Sequence, residues 1–187
     1  MYRHCKKKIA FLDRDGIINE DNGYVHKLDE LVWVKGVING LRNLIELNYK
    51  LYIVTNQSGI ARGYYTEKQF HDFMKGMFEK LLLKNIYFLG YDYCPHHPEG
   101  LIKKFAKHCT CRKPGSNMIE KALKKERIEA KNCILIGDKL TDIEAGIRAN
   151  IGHLFLLNTN KNSFNQSFHH FSDWEKLSQY LNNKSES

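Results

Sequence analysis

The chain has 187 residues, of which 42% are hydrophobic, and its formal net charge is +8. This length is enough for one domain with a sizeable core, and the composition excludes a disordered or collagen-like chain. Since no apolar run reaches the ~18 residues of a membrane span and the basic start is not followed by the apolar region of a signal peptide, we predict a single cytoplasmic domain over residues 1–187.

The first predicted element is a buried strand, Lys8–Leu12, which is followed directly by Asp13 and Asp15. Open α/β folds bind their ligands at the carboxyl ends of such strands. Two carboxylates one residue apart can bind a hard cation, and one of them can attack a substrate or transfer a proton. Taken alone, this pair is equally typical of a solvated turn or of a bare metal site.

Beyond the two aspartates, helices and strands alternate, as in a mostly parallel sheet that is covered on both faces. Hydrophobic runs predict four more strands: Leu51–Val54, Tyr87–Tyr93, Cys133–Ile136 and His153–Leu157. Helical spacing predicts five helices, at about residues 36–49, 66–83, 117–125, 141–149 and 172–182. Three helix N-caps are predicted from capping pairs: Thr66 with Gln69, Thr141 with Glu144, and Ser172 with Glu175. Residues 17–33 are predicted as a loop or small hairpin, and residues 158–170 as a loop.

Several of these strands end in groups that suit phosphate chemistry. Asp13 and Asp15 follow the first strand, Thr55 the second and Asp138 the fourth, while Lys113 precedes a helix. Three carboxylates can organise Mg²⁺, and a hydroxyl and an ammonium can stabilise a transferring phosphoryl group. An aspartate can also form an aspartyl-phosphate intermediate. Each residue alone is common at a turn or surface, but together and in this order they predict a phosphoryl-transfer site.

The net charge leaves two interpretations open. A charge of +8 suits an anionic partner, either nucleic acid or a phosphorylated small molecule. It is equally typical of a solvated basic surface. The basic residues are spread along the chain and match no nucleic-acid-binding motif, so we predict no nucleic-acid partner.

The irregular loop at about residues 94–115 predicts a metal site. Four side chains with tetrahedral zinc chemistry lie within it: Cys94, His96, Cys109 and Cys111. The alternative is a set of free thiols. Because the last of these cysteines adjoins Arg112 and Lys113, a structural Zn²⁺ would fix two cations beside the phosphate site. The remaining cysteines are predicted as an exposed tail thiol, Cys5, and a core residue, Cys133.

At this point the sequence resembles the haloacid-dehalogenase-like (HAD) phosphatases. The four motifs that carry the resemblance are Asp13-Arg14-Asp15-Gly16, Thr55, Lys113, and Gly137-Asp138 with Asp142. The resemblance implies a Rossmann-like three-layer α/β sandwich with a minimal cap. It implies that Asp13 is the nucleophile, that Asp15 is the general acid and then the base, and that Thr55 and Lys113 hold the phosphoryl group. It places Mg²⁺ on Asp13, the backbone oxygen of Asp15, and Asp138. Asp142 is either a carboxylate behind the metal ligands or a first-turn acid near its helix dipole.

Motif blocks from about Phe11 to Gly152 are similar to those of the D,D-heptose 1,7-bisphosphate phosphatases and of their relatives, the histidinol-phosphate phosphatases. The zinc loop matches as well, and Lys35 departs from the proline expected before Gly36. The resemblance implies nine substrate contacts: Asp21, Asn22, Gly23, Tyr24, Asn56, Gln57, Ser58, Arg112 and Lys139.

The leading hypothesis is therefore an Mg²⁺-dependent phosphatase that removes the 7-phosphate of D-glycero-D-manno-heptose 1,7-bisphosphate. The product, heptose 1-phosphate, leads to ADP- or GDP-heptose and so to lipopolysaccharide. The alternatives are a histidinol-phosphate phosphatase and, in another class, a nucleic-acid-binding zinc module or DNA 3′-phosphatase. We predict a monomer whose partner is a phosphorylated small molecule and which binds no membrane.

Overall fold

A six-stranded parallel sheet forms the centre of the computed structural model, which describes residues 7–158 and 167–185. The strands are β1 (Lys8–Leu12), β2 (Tyr49–Asn56), β3 (Phe88–Cys94), β4 (Ile134–Gly137), β5 (His153–Leu157) and β6 (His169–Phe171). They are ordered β3-β2-β1-β4-β5-β6 across the sheet, and every neighbouring pair is parallel. The chain therefore reverses its winding direction between β1 and β4, at the point where open α/β sheets bind ligands.

Helices connect the strands and cover both faces of the sheet. They are α1 (Val37–Glu46), α2 (Ser58–Arg62), α3 (Glu67–Leu82), α4 (Asn117–Glu126), α5 (Leu140–Arg148) and α6 (Trp174–Ser185), with a 3₁₀ turn at Ala130–Asn132. The predicted α/β fold with a mostly parallel sheet is confirmed. Within the two described ranges, no helix combines the length and the apolar character needed to cross a bilayer.

Alternate residues of the strands face opposite layers, which explains why the strands are apolar throughout. In β1, Ala10 and Leu12 belong to the core cluster that includes the buried residues of α1, α3 and α6. Ile9 and Phe11 belong to a second cluster that includes those of α4 and α5. All four side chains are fully buried. The fold is thus a three-layer sandwich, as the resemblance implied.

Two short elements depart from the sequence predictions. Residues 158–170 were expected to form a loop, but β6 pairs with β5 through three residues, Phe155 to Leu157 opposite His169 to Phe171. Residues 159–166 of that expected loop lie outside the described residues. Helix α2, which comes just after β2, was not among the predicted helices. Both elements are too short to show a hydrophobic period, so tertiary contacts and not local pattern decide them. Residues 17–33 form a loop with only isolated bridges.

One predicted helix cap is confirmed and another is wrong. Thr66 Oγ1 accepts a hydrogen bond from the backbone amide of Gln69 at 3.2 Å, and the Thr66 amide donates to the side-chain oxygen of Gln69 at 2.9 Å. Thr141 was expected to cap the helix predicted at about residues 141–149, but it lies inside α5. Instead, the Lys139 amide donates to Asp142 at 3.0 Å. The N-cap position of α5 is Lys139, two residues before the threonine, and Asp142 in the first turn accepts from its amide.

The cap of the final helix is also shifted from the prediction. Ser172 was expected at this position, but Asp173 accepts the hydrogen bond from the backbone of Lys176 at 2.9 Å. Trp174, the first residue of α6, is 1% exposed and donates from its indole nitrogen to the backbone oxygen of Ile17 at 2.9 Å. The tail helix is therefore attached to the loop that follows the Asp13–Asp15 pair.

The indole ring of Trp174 packs against Gly40 in α1, where a Cβ atom would overlap it. We expect Gly40→Val to lower the free energy of unfolding by about 3 kcal/mol, because the overlap forces side chains or backbone to shift. Chemical denaturation measures this loss. The matched control is Asn39→Val, which places the same side chain on an exposed position of the same helix. Equal stability of the two variants would contradict the packing described here.

Candidate active site

The predicted nucleophile lies where β1 and β4 meet. The Asp13 amide donates to the backbone oxygen of Ile136 at 3.0 Å, which joins the carboxyl ends of the two strands. Asp13, Asp138 and Asp142 each place one carboxylate oxygen within 4.8 Å of the others. Gly16, with φ of 82°, lies so close to Asp138 that a Cβ atom would overlap the carboxylate. The glycine of the first motif therefore allows the fourth motif to approach.

Lys113 is a fixed cation beneath these carboxylates. Its ammonium lies 2.9 Å from Asp13 and 2.6 Å from Asp142, and it donates to the backbone oxygen of Val54 at 2.8 Å. The side-chain amide of Asn56 accepts from the Lys113 amide at 3.0 Å and donates to its carbonyl at 3.1 Å. Asp142 therefore both accepts from the N-cap residue of α5 and pairs with the buried lysine.

Burial dominates the electrostatics of this cluster. It raises the pKa of Asp13, while the ion pair with Lys113 opposes that shift. Burial, reinforced by the charge of Asp13, raises the pKa of Asp138 to about 7. Burial works to lower the pKa of Lys113, but Asp13 and Asp142 outweigh it and raise that pKa above its ordinary value. The cluster thus holds more negative charge than its lysine neutralises, and a bound cation would stabilise it.

The donor set also fits a hard cation. Oδ1 of Asp138 is buried and has no hydrogen-bond partner within the described part of the chain. A buried carboxylate oxygen without a partner is costly, and a metal ion removes that cost. Asp142, by contrast, already accepts from Lys113 and from the Lys139 amide. Asp13 uses one oxygen to accept from Lys113 and from the Arg14 amide, so its other oxygen and Oδ1 of Asp138 could bind a hard cation.

The second aspartate, Asp15, is held by side chains that the sequence analysis did not assign. Arg14 donates to its carboxylate from Nε at 3.0 Å and from Nη2 at 2.7 Å, and Asn19 donates at 2.9 Å. Arg14 is fully buried, and its guanidinium lies 4.8 Å from the ring centre of Phe73. In the sequence, an arginine between two aspartates looks like a surface residue. Its burial and its contact with Asp15 are therefore apparent only from the structure.

Thr55 lies beneath the cavity floor and not on its surface. It is 1% exposed, and its hydroxyl accepts a hydrogen bond from the side-chain amide of Gln57 at 2.8 Å. The same amide donates to Asp15 at 3.0 Å. Gln57 therefore connects the second motif to the first.

A cavity of about 490 Å³ opens above these groups. Eight of the nine predicted substrate contacts line it, and Asn22 is the one that does not. Lys139 lies 3.0 Å from Asp21 at the cavity wall, so the fourth motif contacts the loop that follows β1. Tyr65 and Thr141 also line the cavity, although neither was predicted. Tyr65 directly precedes the capping residue of α3, and no sequence motif distinguishes it from a core aromatic residue.

The predicted zinc ligands converge as well. Sγ of Cys94 lies 3.5 Å from that of Cys109 and 3.1 Å from that of Cys111, and Nδ1 of His96 lies 3.3 Å from the Cys111 sulfur. All four ligand atoms lie within 4.8 Å of one another, and the three cysteines are not disulfide-bonded. Burial raises the pKa of Cys94, so a cation is needed to hold it as a thiolate. Three sulfurs and one nitrogen at these separations fit tetrahedral Zn²⁺.

This cluster is directly connected to the cavity. Arg112 follows Cys111 in the chain, and its guanidinium donates to the backbone oxygen of His96 at 3.4 Å. At the other end of the loop, the backbone amide of Gln57 donates to the backbone oxygen of Cys94 at 2.8 Å. The cluster therefore anchors both the segment that carries Lys113 and the segment that carries Gln57. Of the other predicted thiols, Cys133 is buried as expected, and Cys5 lies outside the described residues.

Comparisons with known proteins agree with this geometry. A family model described as HAD-hydrolase-like matches residues 110–165. The chain is 45% identical over 157 residues to the D-glycero-alpha-D-manno-heptose-1,7-bisphosphate 7-phosphatase of Photorhabdus laumondii, covering 84% of this chain and 86% of that protein. It is 43% identical over 151 residues to the D-glycero-beta-D-manno-heptose-1,7-bisphosphate 7-phosphatase of Escherichia coli K12, covering 81% and 79%. The crystal structure of D,D-heptose 1,7-bisphosphate phosphatase from B. bronchiseptica, complexed with magnesium and phosphate, superposes with a TM-score of 0.81 at 24% identity, covering 95% of this chain and 99% of that one.

Proposed function

The chain belongs to the D-glycero-D-manno-heptose-1,7-bisphosphate 7-phosphatase family of HAD-like hydrolases, and we propose that it removes the 7-phosphate of this sugar bisphosphate to give heptose 1-phosphate. The observation that carries the proposal is the pairing of buried Asp13 and Lys113 with the half-buried Asp138, beside a cavity whose lining also includes Arg112 and Lys139. We place the reaction in the synthesis of nucleotide-activated heptose. The cytoplasmic location and the monomeric state remain predictions from the sequence.

In the proposed reaction, a carboxylate oxygen of Asp13 attacks phosphorus while the bond to the C7 oxygen breaks. Asp15 gives a proton to the leaving oxygen, which departs as the alcohol. Asp15 then takes a proton from the water that hydrolyses the aspartyl-phosphate. Lys113 neutralises charge on the phosphoryl oxygens, and Thr55, which lies beneath the cavity floor, stays a predicted contact of the phosphoryl group. Lys113 suits this role because its ammonium is already fixed 2.9 Å from Asp13.

We propose that Mg²⁺ is bound by Asp13 and Asp138 together with the backbone oxygen of Asp15. When bound, the ion neutralises charge on the phosphoryl oxygens. The partnerless oxygen of Asp138 supports this assignment, as does the magnesium named for the B. bronchiseptica relative. We propose that Zn²⁺ is structural and is bound by Cys94, His96, Cys109 and Cys111, whose converging ligand atoms support it.

Substrate contacts are proposed on two sides of the cavity. Arg112 and Lys139 supply cations for the phosphate that is not transferred, and both line the cavity. The loop with Asp21, Gly23 and Tyr24 and the segment with Asn56 and Ser58 supply polar groups for the sugar hydroxyls. Because residues 7–158 and 167–185 include no large cap domain over the cavity, the zinc-anchored segment provides much of the selectivity. Asn22 stays a predicted contact outside the lining.

A panel of phosphate monoesters tests the proposal. We expect the kcat/KM for heptose 1,7-bisphosphate to exceed that for histidinol phosphate by at least about a hundredfold, because Arg112 and Lys139 lose an anionic partner with the smaller substrate. Phosphate release measures both rates, and ³¹P NMR of the product identifies the phosphate that is removed. The names of the two relatives specify different anomers, so both anomers belong in the assay. A preference for histidinol phosphate, or for an oligonucleotide 3′-phosphate, would overturn the proposed substrate.

A further inference from the structure

We propose that Tyr65 positions the general acid Asp15 by fixing the side-chain amide of Gln57. Tyr65 does not touch the reacting atoms, so it is a positioning residue and not a catalytic one. The inference rests on the proposed function, in which Asp15 protonates the leaving oxygen. It is carried by a hydrogen-bond chain that connects three separate segments of the cavity lining.

The chain runs from the phenol to the carboxylate through a single amide. The Tyr65 hydroxyl donates to Oε1 of Gln57 at 2.6 Å. Nε2 of Gln57 donates to Oδ2 of Asp15 at 3.0 Å and to the Thr55 hydroxyl at 2.8 Å. A glutamine amide has one accepting end and one donating end. By occupying the accepting end, Tyr65 turns the donating end toward Asp15. The reversed amide would place its carbonyl oxygen against the carboxylate.

Tyr65 is itself held rigidly. It is 4% exposed, and its ring stacks on His26 with a centre-to-centre distance of 4.8 Å and an interplanar angle of 13°. On the side of α2, a Cβ atom at Gly59 would overlap the ring, so this glycine makes room for it. Burial also raises the pKa of the phenol above its ordinary value of 10, so the hydroxyl remains a donor at neutral pH. Both the position and the protonation state of the Tyr65 hydroxyl are therefore fixed.

Gln57 supplies a contact to Asp15 that Arg14 and Asn19 do not. Those two residues lie within four residues of the carboxylate, in the loop that follows β1. Gln57 lies just after β2, which neighbours β1 in the sheet, and also donates to the hydroxyl of Thr55. It therefore fixes the direction of Asp15 relative to the sheet edge at which the site lies. Loss of this contact would leave the acid present but misaligned, which is enough to lose much of the benefit of proton transfer.

Leaving-group chemistry separates this role from simple support of the fold. In the first step, the phosphorus–oxygen bond breaks as the Asp13–phosphorus bond forms, and the proton of Asp15 passes to the departing oxygen. A sugar alkoxide is a poor leaving group that needs this proton. 4-Nitrophenolate departs without it. Misalignment of Asp15 should therefore slow the sugar phosphate selectively.

The test compares Tyr65→Phe with the wild-type enzyme on heptose 1,7-bisphosphate and 4-nitrophenyl phosphate. We expect kcat/KM to fall about tenfold for the sugar and less than about twofold for the aryl ester, as misplacing a general acid removes part of its ~10²–10⁴-fold contribution. Tyr64→Phe is the matched control, because Tyr64 is an exposed neighbour of the same type. We expect that variant to match wild type on both substrates.

A double-mutant cycle provides the second measurement. If Tyr65 acts through Gln57, then Tyr65→Phe combined with Gln57→Ala should slow the sugar phosphate no more than Gln57→Ala alone. Additive losses, equal losses on both substrates, or unchanged rates would each overturn the proposal. If wild type prefers histidinol phosphate, the proposed substrate is wrong. The same comparison is then made with that alkyl phosphate, which also requires protonation of its leaving group, so the two proposals fail separately.

Discussion

The Asp13→Asn variant is expected to lose at least about a thousandfold in kcat while keeping its fold. The amide has the shape of the carboxylate but cannot attack phosphorus, so no aspartyl-phosphate forms. Phosphate release measures the loss, and the absence of a phosphorylated enzyme after acid quenching identifies the missing step. Asp29→Asn makes the same chemical change on an exposed loop residue and is expected to keep full activity.

The contacts of Lys113 explain why the Asp13→Asn variant should fold. Removing one partner of a buried ion pair is usually destabilising because it leaves a charge unpaired. Here Asp142 remains 2.6 Å from the lysine ammonium. The charge of Asp13 also helps to raise the pKa of Asp138, so its removal relieves repulsion between the carboxylates. We expect the free energy of unfolding to change by less than about 2 kcal/mol. Near-normal turnover in a folded variant would refute a covalent mechanism through Asp13.

The second large effect is expected for Cys109→Ser. Loss of one thiolate should reduce bound zinc from one ion per chain to nearly none, because a serine hydroxyl is a poor zinc ligand. We expect kcat/KM to fall by about ten- to a hundredfold, since Arg112 and Lys113 follow the cluster directly and lose their anchor. Metal analysis of the purified protein and the phosphatase assay measure the two losses together.

Cys133→Ser is the matched control for zinc binding. Cys133 is buried just before β4, and its sulfur lies 3.5 Å from the backbone oxygen of Glu129, which a serine hydroxyl can also contact. This control is expected to keep its zinc whatever its effect on stability. Unchanged zinc in the Cys109→Ser variant would refute the tetrahedral assignment. Lost zinc with full activity would refute the link between the cluster and the cavity.

Much of the fold could be predicted because the strands of a covered parallel sheet are apolar throughout. Lys8–Leu12 and His153–Leu157 have the bounds that the sequence predicted. Strand β2 instead extends to Asn56, so Thr55 lies within a strand that was expected to end at Val54. Polar residues at the end of a strand are predicted as a loop, because the local sequence does not show whether a neighbouring strand pairs with them. The same reason accounts for β6, which exists only through its pairing with β5.

The site divides in a similar way. The residues predicted to react or to bind metal do lie close together, because they follow strands in a recognisable order. The residues that hold them were not predicted. Arg14 lies inside the first motif, yet only its burial and its contact with Asp15 reveal what it does. Tyr65 carries no motif, and its contact with Gln57 depends on how α3 packs under the cavity. The role of such residues depends on tertiary contacts, so it could not be predicted from the sequence alone.

The hydrogen bond between Asp13 and Ile136 has a consequence for biosynthesis. It joins two strands that are neighbours in the sheet but are separated by more than a hundred residues in the chain. During translation, β1 and β2 leave the ribosome long before β4 is made. The predicted nucleophile, Asp13, therefore gains its surroundings only when β4, more than a hundred residues later in the chain, has been made. Nascent chains that stop before β4 should be inactive, however well their first two strands have paired.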